Sequence, residues 1–141
     1  MCKVLVMLSE EITTRHRVLV VDDEESMRLL IAATLSRELG VEVQPAGTCE
    51  QALRLAENYA YDAILLDLMM PGIGGFGVLF GVRRSAPNAS TPVIIVSVLA
   101  EKAAVARCMA AGANAFLKKP LEFAELANTV RQQLAGRSKP A

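Results

Sequence analysis

The stretch RVLVVD (Arg17–Asp22) is a β-branched apolar run that ends in acid, and the chain after it changes period. Glu25 to Leu39 is built of good helix formers and stops at Gly40, a C-terminal helix signal. The same unit recurs along the chain. VEVQP (Val41–Pro45) is a shorter, alternating strand of the kind found near a sheet edge. Thr48, with Gln51 three residues on, forms a capping box that opens a helix to about Asn58. DAILLD (Asp62–Asp67) is a third strand and again ends in Asp. A loop broken by Pro71, Gly72, Gly74 and Gly75 leads into a helix reaching about Arg84. PVIIVS (Pro92–Ser97) is a fourth strand, and Glu101 to Ala111 an Ala-rich helix closed by Gly112. NAFLK (Asn114–Lys118) is a fifth strand, and Glu122 to Leu134 a last helix.

Five strands, each followed by a helix, predict right-handed crossovers and a parallel sheet covered on both faces. The continuous apolar runs at the first, third and fourth strands place them centrally. The expected fold class is therefore α/β, doubly wound. Its 141 residues, 52% hydrophobic, suffice for one packed core. Fifteen Lys and Arg balance fifteen Asp and Glu, so an overall basic field for nucleic acid or anionic lipid is missing. Aromatics are 4% with no Trp, which argues against a base-stacking surface. No apolar run approaches the roughly 18 residues of a membrane span, and Val4 to Leu8 is shorter than the apolar region of a signal peptide. Cys2, Cys49 and Cys108 are odd in number and far apart, forming neither a disulfide framework nor a CxxC pair. A reducing, cytoplasmic setting is expected.

In a sheet of this kind ligands bind beyond the carboxyl ends of the strands, where the winding reverses. The polar residues at those ends are Asp22 and Asp23, Asp67, Ser97 and Lys119. Three carboxylates in one crevice repel one another, and a hard dication relieves the repulsion. Carboxylates without His or Cys favour Mg²⁺ over zinc. Lys119 supplies positive charge and Ser97 a hydroxyl donor, both suited to a phosphoryl group. One Asp could then act as a nucleophile, and Asp67 at the end of a central strand is best placed.

VLVVDDEE, ILLDLMMPGIGG, PVIIVS and GANAFLKKP, in that order and spacing, resemble the receiver domain of bacterial two-component response regulators. The resemblance covers roughly Arg17 to Leu134. It implies a flavodoxin-like (βα)5 sheet with strand order 2-1-3-4-5 over residues 17–135. Residues 1–16 are then an extension of unknown role and 136–141 a polar tail. It implies that Asp67 accepts a phosphoryl group from a phosphohistidine on a sensor histidine kinase or phosphotransfer protein, with Mg²⁺. Asp23 resembles a direct Mg²⁺ ligand, Asp22 one acting largely through water, and the Met69 carbonyl another ligand. Ser97 and Lys119 resemble the two groups that grip the phosphoryl oxygens. Phe116 resembles the family's aromatic switch, which fills the space left as the hydroxyl residue is drawn toward the phosphoryl group. The implied output is a protein partner or output domain, without direct nucleic-acid contact or membrane insertion. Such a chain is no metabolic enzyme: it catalyses its own phosphorylation and a slow dephosphorylation.

Departures from the family pattern carry expectations of their own. Gly74 stands where the family loop commonly has Asp, and five of the nine glycines fall in Gly72–Gly81, which predicts a short or mobile third helix. Val98 follows Ser97 where the family commonly has Ala or Gly, narrowing access. Met69 and Leu99 are apolar and cannot orient a hydrolytic water, which predicts a long-lived aspartyl phosphate. Met27, Leu30 and Ile31 near the acidic rim serve the core, with a part of that face left to dock a kinase. The competing reading is a degenerate receiver acting as a phosphorylation-independent interaction module, against which the intact acids, Ser97 and Lys119 weigh. A phosphatase would want a second Asp at Met69. A transcription factor requires the chain to be a fragment, since no helix-turn-helix stretch follows Leu134.

Overall fold

The computed structural model describes residues 15–136. Most of the extension, residues 1–14, and residues 137–141 of the polar tail lie outside that range. The elements run β1 (Arg17–Val21), α1 (Glu25–Leu39), β2 (Glu42–Ala46), α2 (Cys49–Asn58), β3 (Ala63–Leu66) and α3 (Gly74–Arg84). A short 3-10 turn (Ala86–Asn88) leads to β4 (Val93–Ser97), α4 (Lys102–Ala110), β5 (Ala115–Lys118) and α5 (Phe123–Ala135). All strand pairs are parallel, in the order β2-β1-β3-β4-β5. The three continuous apolar strands are thus the interior ones. At the edge, β2 tolerates Pro45, which pairs with Val20 but has no N–H for a further neighbour. Every element falls where the sequence puts it, with ends shifted by one residue at most.

Period-two alternation divides the strands between two cores. Leu19, Val21, Ile64, Leu66, Val93 and Ile95 face the side covered by α2, α3 and α4. Val18, Val20, Ala63, Leu65, Ile94 and Val96 face α1 and α5, meeting Ile31, Leu35, Leu126 and Val130. Both faces are apolar because both are covered. Among the described residues no helix is long and apolar enough to cross a membrane.

Local signals act as read. Gly40 takes φ +64° and its N–H donates to the Ser36 carbonyl, ending α1. The Thr48 hydroxyl accepts from Gln51 N–H, and the Gln51 side chain accepts from Gly47 N–H, one residue before the cap. A buried Asn88 amide donates to the carbonyls of Ala56 and Tyr59 and accepts from Tyr61 N–H, tying α2 to the turn before β4. Arg83, held by burial below its ordinary pKa, donates to the carbonyls of Gly112 and Thr91 and to the Asn114 side chain. These carbonyls satisfy a guanidinium that, among the described residues, has no carboxylate in ion-pair contact.

Of the two expectations for the third helix, short or mobile, the first does not hold: α3 is eleven residues long. Its glycines follow from close approach. A Cβ on Gly75 would lie 2.5 Å from the Asp67 carbonyl oxygen and from Leu68 Cα, and one on Gly81 would strike Leu53 of α2. The lost propensity is the condition for packing α3 against the loop that carries Asp67. Gly75→Ala should therefore lower the unfolding free energy by about 1–3 kcal/mol, read from the midpoint of urea denaturation followed by circular dichroism. A neutral outcome would mean that α3 has slack at its first turn.

Candidate functional site

Each strand end continues one residue past the sheet before turning, and this places the polar cluster. Asp67 N–H donates to the Val21 carbonyl and Asp22 N–H to the Ala46 carbonyl, so both acids are fixed by backbone on neighbouring strands. Lys119 N–H donates to the Ser97 carbonyl at 2.9 Å, which carries the register of β4 and β5 one step further. The site is the row of residues that follows the sheet, set by pairing of the strands beneath it.

Carboxylate oxygens of Asp22, Asp23 and Asp67 lie within 4.8 Å of one another. Asp22 and Asp67 are only 2% and 5% exposed, whereas Asp23 faces solvent. Lys119 Nζ lies 2.9 Å from Asp22 Oδ2 and 3.2 Å from Asp67 Oδ2, joining the ends of β1, β3 and β5. The second oxygens are also used: Asp22 Oδ1 accepts from Glu24 N–H at 2.9 Å, and Asp67 Oδ1 from Met69 N–H at 2.9 Å. Burial raises the Asp67 pKa, against the lowering pull of the Met69 N–H and of Lys119. Burial also disfavours the Lys119 ammonium, but the two carboxylates outweigh it and raise its pKa. Two buried acids and one ammonium leave a negative excess, to which exposed Asp23 adds.

The buried Ser97 hydroxyl accepts from Leu99 N–H at 3.1 Å. Ser97 alternates with Val96 and shares a sheet face with Ile95, whose register partner is Phe116. Ser97 and the half-buried Phe116 ring therefore lie on the same face of adjacent strands, two residue pairs apart in register. Met69 and Val98 are exposed at the rim, at 56% and 63%. Sequence reasoning missed Arg28, whose Nη1 donates to the Asp22 carbonyl at 2.7 Å and whose guanidinium lies over Gly47. Its position one turn into α1 carried no chemical signal of its own; the small Gly47 opposite was the trace it left.

A doubly wound sheet that gathers three carboxylates and a lysine beyond its carboxyl ends is the arrangement of a receiver domain. The chain belongs to the response regulator receiver domain family, whose model matches residues 18–131, and its role is that of a receiver in two-component signalling. It is similar to the response regulator GacA of Pseudomonas aeruginosa, 36% identical over 121 residues, which are 85% of this chain and 56% of that protein. The DNA-binding response regulator MtrA of Mycolicibacterium smegmatis is 31% identical over 122 residues, 86% of this chain and 52% of that one. The chain thus spans about half the length of these relatives. A solved structure similar to it is the receiver domain of the sensor histidine kinase PA1611 from Pseudomonas aeruginosa PAO1, which has a magnesium ion coordinated in the active site cleft. That match has a TM-score of 0.78 and 30% identity, covering 86% of this chain and 99% of that one.

Removing Lys119 leaves two buried carboxylates facing each other. Lys119→Met should destabilise the metal-free protein by about 3 kcal/mol at pH 7. The deficit should shrink as pH falls, beginning above the ordinary carboxylate range, because burial raises the Asp67 pKa and the carboxyl takes up its proton there. In the wild type the raised lysine stabilises the fold at every pH below its ordinary range, about 10.4, and this is lost as pH rises through its folded-state value. Urea titrations across pH, in chelator, measure both trends; a deficit independent of pH would refute the pairing.

Proposed function

We propose that Asp67 is the phosphoacceptor of this receiver, taking its phosphoryl group from a phosphohistidine on a sensor histidine kinase or a phosphotransfer protein in the cytoplasm. The observation that carries the assignment is the placement of Asp67: buried at the end of a central strand, with Lys119 shared between it and Asp22. An Asp67 oxygen attacks phosphorus, the P–N bond breaks, and its electron pair stays on the imidazole nitrogen, which is protonated. Attack requires the ionised carboxylate; Lys119 and the Met69 N–H favour that form against burial.

The donor set fits Mg²⁺: carboxylate oxygens with a negative excess and neither His nor Cys among the clustered ligands. Asp23 and Asp67 would hold it directly, with the Met69 carbonyl. Asp22 would act largely through water, as the family resemblance implies; Lys119 is shared between its Oδ2 and that of Asp67. When bound, the ion neutralises charge on the transferring phosphoryl oxygens. Lys119 and the Ser97 hydroxyl take up the remaining oxygens once the acid pair is relieved. As Ser97 is drawn over, Phe116, on the same sheet face, moves into the space it leaves. The changed surface acts on a downstream protein partner or an output domain, without direct contact between residues 17–135 and nucleic acid.

Incubation with a phosphohistidine donor and Mg²⁺ should add about 80 Da, located at Asp67 by peptide mass spectrometry after borohydride reduction. Asp67→Asn should abolish the gain, and a gain on another residue would overturn the assignment. Since Met69 and Leu99 offer no hydrogen bond to an attacking water, the phosphorylated form should outlast a minute. Met69→Asn or Leu99→Asn should shorten it about tenfold, a barrier change of ~1.4 kcal/mol. A half-life of seconds that neither change alters would refute this account of the rim.

A further inference from the structure

A second surface lies apart from the acidic cluster. α3 and α4 enclose a groove of about 250 Å³ lined by Phe76, Phe80, Arg107, Ala110 and Ala111. Ile73, Phe76 and Phe80 follow one another along one face of α3, and Ile73 and Phe80 are 57% and 51% exposed. Large apolar side chains in such a row mark a contact surface more readily than scattered ones do. The Arg107 guanidinium lies 4.2 Å from the Phe76 ring centroid, so a cation is fixed at the groove wall by an aromatic face.

The part of the chain that builds this groove is rich in cations. Between Leu68 and Leu121 the chain carries six Lys and Arg and a single acid, Glu101. Lys119 belongs to the acidic cluster and Arg83 to backbone carbonyls, which leaves Arg84 closing α3, Lys102 and Arg107 on α4, and Lys118 ending β5. Among the described residues none of these four forms an ion pair with a carboxylate. An apolar strip with Arg107 in its wall and Arg84 one helical turn beyond Phe80 is complementary to an amphipathic helix whose apolar face is flanked by Asp and Glu.

The groove also stands at the right place to read the switch. α3 follows the loop after Asp67, with Gly75 N–H donating to the Leu68 carbonyl, and α4 follows the loop after Ser97. A ligand seated on both helices is therefore sensitive to the relative position of the two loops that meet the phosphoryl group. We propose that the α3–α4 groove docks an acidic amphipathic helix of the downstream partner. This rests on the receiver reading and supplies the chemistry of the partner that reading leaves open.

The test is a selection of displayed helical peptides against the full chain in Mg²⁺ and beryllofluoride, with binding measured afterwards on synthetic peptides. Enriched sequences should carry apolar residues at i, i+3 or i+4, and i+7, flanked by Asp and Glu. Phe80→Ser and Arg107→Glu, both at exposed positions, should each weaken them at least tenfold, and Arg107→Glu should gain affinity for the same peptide with Lys in place of Glu. Amide shift changes should cluster on α3 and α4. Recovery of no binder, of basic or neutral binders, or of binders mapping to another face would overturn the proposal. So would displacement of the peptides by anionic phospholipid vesicles or duplex DNA, which would assign the cations to a different class of partner. The mass gain at Asp67 is read separately, so a phosphorylated protein without such binders fails this inference alone.

Discussion

One ammonium between two buried carboxylates organises the site. Lys119 touches both Asp22 and Asp67, and the three residues stand on the ends of different strands. Buried ion pairs seldom add much stability over an apolar packing of equal volume. The arrangement is better understood as a charge held in reserve. The lysine offsets one of two negative charges, the Met69 N–H steadies the acceptor oxygen, and the remaining deficit faces Asp23 at the surface. A site balanced by its own residues would gain nothing from a further cation; this one is short of positive charge by design of its donor set.

Precision in such a cluster comes from the sheet and not from the side chains. Asp67 is fixed because its N–H completes the ladder from Val21, and Lys119 because its N–H completes the ladder from Ser97. The same parity explains a mechanical link. Ser97 and Phe116 lie on one face of β4 and β5, so the proposed displacement of the hydroxyl toward a phosphoryl group would leave the strand pairing intact. Strands packed on both sides are stiff, and the parts free to move are the loops and the helices that follow them.

How much of this was legible beforehand varies with the physical range of each signal. Strand and helix assignments rest on local periodicity, and Gly40, Thr48 and Gln51 act over three or four residues, so all were readable. The site address was readable too, since a parallel sheet puts its strand ends on one rim. What sequence could not supply was contact between distant residues. Gly75 and Gly81 look like helix breakers until the backbone of Asp67 and the side chain of Leu53 are seen against them. Arg28 and Arg83 look like solvated charges until their carbonyl partners appear, 6 residues away for Asp22 and 29 for Gly112. In each case a long-range fit overrode a local propensity.

The uneven distribution of charge joins the acidic rim to the groove between α3 and α4. From Arg15 to Asp67 there are ten acids and five Lys and Arg; from Leu68 to Leu121 there are six Lys and Arg and one acid. A net charge of zero thus conceals a molecule whose first half supplies the carboxylates of the site and whose second half supplies cations. Phosphorylation adds negative charge where the two halves meet. Lys119, once divided between two carboxylates, then has a stronger partner, and Asp22 loses part of its share. The loops after Asp67 and Ser97 each lead directly into a helix that lines the groove. On the two proposals made above, electrostatic change at the rim would be converted into a change of shape at an apolar surface, where a protein partner would respond to it.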